Sequence, residues 1–103
     1  MPRPFQHPPT RSISIDGILH ALSDPTRRQV MIKLLQCDGM SCAKACDDLP
    51  ASTVSFHHRV LREAGLIRSE KRGVEVINSA RKTDVDKRFP GLLDGILRYH
   101  GKS

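Results

Sequence analysis

With 103 residues, 38% of them hydrophobic and 4% aromatic, the chain closes one modest core, a size that gains from a partner subunit and excludes a multidomain machine. Its 17 lysines and arginines outnumber 11 aspartates and glutamates, and the formal net charge of +6 favours a polyanion, nucleic acid first, over an acidic or neutral ligand. No apolar run approaches the roughly 20 residues that cross a bilayer, and the opening MPRPFQHPPTRS lacks the apolar segment of a signal peptide, so the chain is expected in the cytoplasm, away from membranes.

Residues 1–12 hold four prolines with Arg3, His7 and Arg11. So little apolar surface predicts a mobile basic arm ahead of a folded domain over residues 13–100. From Ser14, Ile15, Ile18, Leu19 and Leu22 recur on one stripe of a short helix, with Asp16 near its positive end. Asp24 then caps a second helix that Pro25 opens and that runs to about Cys37. Val30, Met31, Leu34 and Leu35 form its core face, leaving Arg27, Arg28 and Lys33 as the solvated side. Gly39 ends it. Ser41 caps a third helix of roughly eight residues, through Ala43 and Cys46, that closes at Asp47–Pro50.

A tight turn leads to the helix expected over Ala51–Ala64, the second member of a helix-turn-helix and hence its reading helix. Small hydroxyls open it at Ser52, Thr53 and Ser55. His57, Arg59 and Arg62 supply a polar face, and Val54, Leu61 and Ala64 a packing face. Gly65 supplies a left-handed stop. A strand starting at Leu66 and Ile67, a basic turn over Arg68–Gly73 and a second strand at Val74–Ile77 make a hairpin wing, with Lys71 and Arg72 set to touch phosphate. Thr83 or Asp84 caps the last segment, where Pro90 restarts the helix and Val85, Phe89, Leu92, Leu93, Ile96 and Leu97 form an apolar set. The fold class is α+β: mainly helical, with a small hairpin. The first and last helices are expected to make a twofold dimer, and the two reading helices then sit one DNA turn apart, on an inverted repeat.

The segments Leu22–Val30 (LSDPTRRQV) and Ser52–Ile67 (STVSFHHRVLREAGLI), with the wing that follows, closely resemble the ArsR/SmtB family of bacterial winged-helix repressors. The similarity spans Ile15 to about Leu97. It implies a homodimer that covers a promoter and lets go when an effector binds, commonly a metal or metalloid ion. It also implies DNA contacts from Ser52, Thr53, Ser55, Phe56, His57 and Arg59, with Lys71 and Arg72 in the wing. Family members usually read Ser-His-His-Leu or Ser-Arg-His-Leu where this chain has Ser55-Phe56-His57-His58. An aromatic thus replaces a polar reader and a histidine replaces a core leucine. His58 is expected to be a partly buried histidine satisfied by one hydrogen bond.

Cys37, Cys42 and Cys46 are an odd number of thiols in a chain without an export signal, which argues against a disulfide framework. Three readings stay open. Thiolates suit arsenite, antimonite or another thiophilic ion, and the i, i+4 spacing of Cys42 and Cys46 puts both on one helix face, with Cys37 a turn upstream. Cys42 at a helix start suits a redox sensor. All three also suit a core as small apolar residues. The family's Cys-Val-Cys arsenic motif and its C-terminal zinc site are both missing. A nucleophile and base built from Cys42 or Cys46 with His57 lacks an orienting group, an oxyanion site and a pocket, so an enzyme is not expected. The remaining alternative is a winged helix used only for protein contacts.

Overall fold

This computed structural model describes residues 5–36, 40–41 and 49–101. Among them are five α-helices, α1 (Ile15–Ala21), α2 (Pro25–Gln36), α3 (Ala51–Glu63), α4 (Lys82–Arg88) and α5 (Leu92–Arg98), and strands β1 (Met40–Ser41), β2 (Ile67–Arg72) and β3 (Glu75–Ala80). The expected α+β winged helix is the fold. The helix expected between Ser41 and Asp48 lies outside the described residues, as do Cys37, Cys42 and Cys46.

Local chemistry starts the helices where the sequence marks them. Ser14 Oγ accepts from the Gly17 amide at 3.0 Å, and Asp24 Oδ2 accepts from the Arg27 amide at 3.0 Å, each satisfying a donor that a helix start leaves open. Burial alone would raise the Asp24 carboxyl, but the Arg27 amide and guanidinium hold it below the usual carboxylate range. The stripe on α1 splits. Ile18 and Leu22 enter the core, whereas Ile15 and Leu19, one turn apart, remain 45% and 48% exposed.

Arg27 and Arg28 are not a solvated face. Arg27 is buried; its Nε donates to Ala21 O at 2.6 Å, while Arg28 Nη1 donates to Leu22 O at 2.8 Å. The last carbonyls of α1 have no partners within their own helix, and two cations placed one turn into α2 satisfy them and complement the negative end of the α1 dipole.

The core draws on every layer: Ile13, Ile18, Val30, Met31, Leu34, Val54, Leu61, Leu66, Ile67, Val85 and Leu93 are all buried. The sheet is antiparallel in the order β1-β3-β2, one strand wider than the expected hairpin. Met40 pairs with Asn78 and Ser41 with Ile77, so the backbone of Ser41 lies in a strand. The free edge of β3 offers it backbone partners. The wing turn is also tighter than expected. Arg72 faces Glu75, which leaves Gly73 and Val74 as a two-residue loop, and Gly73 at φ 62° matches the twist of the flanking strands. At the end of the chain, Lys82 donates to both Asp86 and Asp94 and so ties α4 to α5. Asp84 serves as the ion partner of Arg81 at 3.0 Å rather than as a helix cap. No helix among the described residues is long and apolar enough to cross a membrane.

The expected mobile arm is, from residue 5 onward, packed on the body. Phe5 lies under the Arg62 guanidinium, 4.5 Å from ring centroid to carbon, and Arg81 Nη1 donates to Pro8 O at 2.8 Å. His7 Nε2 accepts from the Ser69 amide at 2.9 Å. Because β2 is an outer strand, that amide points away from the sheet and needs an acceptor. Burial, together with Arg68, Arg81 and Arg62, pushes the His7 pKa down and favours the neutral ring that accepts. Composition missed this docking because it weighs apolar burial and not polar complementarity.

Candidate nucleic-acid interface

The geometry of the interface follows from how α3 begins, faces and ends. Pro50 precedes it and no side chain among the described residues caps it, an arrangement that suits an outside acceptor such as phosphate at the first-turn amides. At the other end the Gly65 amide donates to Arg62 O at 3.0 Å and the Leu66 amide to Leu61 O at 3.0 Å. That paired closure needs a left-handed residue, which Gly65 supplies at φ 83°. A β-carbon there would come within 2.5 Å of Ile13 Cγ1, so glycine is required for packing as well. The chain leaves this stop directly into β2, and the wing stands beside the reading helix.

Between these ends the helix has two unlike faces. Ser52, Ser55, Phe56, Arg59 and Glu63 are exposed, while Val54, His57, His58 and Leu61 are buried. Of the residues singled out in the sequence, Ser52, Ser55, Phe56 and Arg59 share the front face and Thr53 sits half-buried beside them. Arg59 Nε is paired with Glu63 Oε1 at 2.8 Å. Lys71 and Arg72 are exposed on β2 next to the turn, with Arg72 Nη2 at 3.3 Å from Glu70 Oε2.

His57 differs from expectation. It is 9% exposed, and Arg27 Nη1 lies 3.4 Å from its Nδ1. An arginine only donates, so the ring nitrogen is the acceptor in this contact. The cause is helical spacing: His57 follows Val54 by three residues and precedes Leu61 by four, which turns it inward.

His58 is 2% exposed, deeper than expected, and neither ring nitrogen has a hydrogen-bond partner among the described residues. Burial, reinforced by Arg62 and His57, pushes its pKa down to about 4, so the ring is neutral at ordinary pH.

One link was not anticipated. Arg62 Nη1 donates to Ser69 Oγ at 3.1 Å, and Ser69 Oγ donates to Asn78 Oδ1 at 2.6 Å. This polar run joins α3 to both strands of the wing. The available signal was Asn78 directly after Val76 and Ile77 in the second strand of the wing; in the fold it is fully buried, and a buried amide requires partners.

Comparison with known proteins agrees with this architecture. Residues 22–70 match the model of a helix-turn-helix domain. An uncharacterised helix-turn-helix-type transcriptional regulator of Methanocaldococcus jannaschii is 34% identical over 58 residues, which cover 54% of this chain and 65% of that relative. The structure of an ArsR-like transcriptional regulator from Rhodococcus sp. RHA1 superposes with a TM-score of 0.59 at 27% identity, over 70% of this chain and 69% of that one. A second solved structure, of an ArsR family transcriptional regulator, gives 0.66 at 21% identity over 95% of this chain and all of its own, a likeness of fold. The chain carries a helix-turn-helix domain within a winged helix-turn-helix fold similar to those of these two regulators.

Proposed function

We propose that the protein is a sequence-specific DNA-binding transcriptional repressor, acting as a homodimer on an inverted-repeat operator, and not an enzyme. The observation that carries this reading is the front of α3: Ser52, Ser55, Phe56 and Arg59 exposed in one row, a first turn that Pro50 leaves without a side-chain cap, and exposed Lys71 and Arg72 on the adjoining wing. Hydroxyls, amides and cations in that arrangement hold phosphates while the row enters the major groove. The dimer is supported by the outward Ile15 and Leu19 on α1 and by exposed Tyr99 just past α5, apolar surface at the two ends of the chain that a second copy would cover. By this reading Cys37, Cys42 and Cys46 take the effector, arsenite, antimonite or another thiophilic ion, because their thiolates suit such ions and they come just before α3 in the sequence.

The test is a binding titration on duplexes selected by the protein from a randomised pool. Affinity should fall about a thousand-fold between roughly 50 and 200 mM salt if six phosphates are contacted, and Arg59→Ala should weaken it at every salt concentration. Salt-independent binding, or intact affinity in Arg59→Ala, overturns the reading. In the same assay arsenite should release the wild type but not a variant with serine at all three cysteines; release of that variant moves the effector elsewhere.

A further inference from the structure

Phe56 is the misfit on the front face. It keeps 57% of its surface exposed, in a chain with only 3 phenylalanines and 1 tyrosine. It lies one turn after Ser52 and one turn before Arg59, so it is central in the row that faces outward. The core has no use for it.

The ring is nevertheless not loose. It leans on the imidazole of His57, with centroids 5.8 Å apart and planes tilted by 59°. His57 is buried against Arg27, and Arg27 is anchored on the last carbonyl of the α1 helix. The exposed ring therefore stands on a row of buried contacts that reaches back to α1. A side chain already held in place loses little freedom when it meets a ligand.

The chemistry of the groove selects what such a ring can take. Base edges in the major groove present hydrogen-bond donors and acceptors and one apolar group, the 5-methyl of thymine. The hydroxyls of Ser52 and Ser55 and the Arg59 guanidinium address the polar features. A phenyl ring makes no hydrogen bond, so its partner is the methyl. A protein partner fits less well. The ring is flanked by serines and arginine, whereas the other large exposed apolar side chains among the described residues, Ile15, Leu19, Val74 and Tyr99, lie outside α3.

We infer that Phe56, braced by His57 and Arg27, is a specificity-determining residue that reads the 5-methyl group of thymine. This rests on the DNA-binding reading above and adds a base preference to it. His57 and Arg27 are positioning residues for that contact.

Uracil differs from thymine only by the missing methyl and keeps every hydrogen bond, which makes it the right probe. Each thymine of a selected duplex is replaced by uracil in turn. The wild type should lose about four-fold at one or two thymines per half-site, the factor for one methyl group withdrawn from water, and nothing elsewhere. Phe56→Ser should bind the thymine and uracil forms of those duplexes equally. His57→Gln, which keeps an acceptor for Arg27 but removes the ring, should narrow the thymine-to-uracil ratio; an unchanged ratio overturns the bracing. Indifference of the wild type to uracil at every position, or an undiminished loss in Phe56→Ser, overturns the assignment and leaves DNA binding intact. Failure to enrich any duplex sinks the DNA reading itself.

Discussion

The front and back of α3 are made from one run of 13 residues and carry opposite duties. Ser52, Ser55, Phe56 and Arg59 face outward, while Val54, His57, His58 and Leu61 are closed in behind them. A period of 3.6 residues allows this separation, because changing the outward row leaves the packed row in place. The difference teaches that affinity and stability should divide by face. Substitutions behind the helix should move the folding equilibrium first, and those in front should move DNA binding with little change in folding.

The sharpest test of that division is at Leu61, fully buried at the centre of the back face. Leu61→Ala removes apolar volume from a packed core and should cost about 2–5 kcal/mol, read as a lowered midpoint in urea unfolding. Ser55→Ala in front should stay within about 0.5 kcal/mol. Equal losses from the two variants would break the comparison.

His58 comes next, since it gives the back face a pH dependence of its own. Its folded pKa of about 4 lies below the ordinary histidine value of about 6.5, so the unfolded chain takes up the proton first. The stability contributed by the neutral ring is complete above about pH 6.5 and is lost as pH falls from there toward 4. Between pH 7 and pH 5 the loss should be about 2 kcal/mol. His58→Leu should abolish that share of the acid sensitivity and, by removing two ring nitrogens that have no partner among the described residues, should stabilise the fold at neutral pH by about 1 kcal/mol. Urea midpoints at the two pH values decide it: an acid loss as large in His58→Leu as in the wild type would place the titrating group elsewhere.

What was legible in the chain follows the range of the interactions. Caps and stops are local, so Asp24 announced the start of α2 and Gly65 the end of α3 within a residue or so. The front row of α3 was legible for the same reason, since hydroxyls and an arginine at helical spacing need no tertiary information. His57 was misplaced although the signal existed: the spacing of Val54, His57, His58 and Leu61 is the inward pattern, and family resemblance outweighed it. Arg27 and the arm were not legible. A long cation reaches several atoms in many directions, and only the fold shows that Ala21 O is within reach. Likewise His7 and Ser69 are 62 positions apart, and their pairing depends on β2 being an outer strand. The thiol readings rest on sequence alone, because all three cysteines lie outside the described residues.

The smallest expected effect probes the front face by itself. Arg59 is held by Glu63 one turn later, and both side chains are mostly exposed, so the pair contributes at most about 0.5 kcal/mol to folding. Its consequence for binding is larger in kind. An arginine that must contact phosphate or a base edge has to leave its carboxylate, and the carboxylate itself repels the backbone it approaches. Glu63→Gln keeps the size of the side chain and removes the charge. Duplex affinity should therefore rise by roughly 2- to 3-fold at low salt, the equivalent of one exposed ion pair, with the gain shrinking as salt rises and the urea midpoint unchanged. A fall in affinity would give Glu63 the opposite role, that of holding Arg59 in the pose the groove accepts, and the front face would then need internal positioning just as the back does.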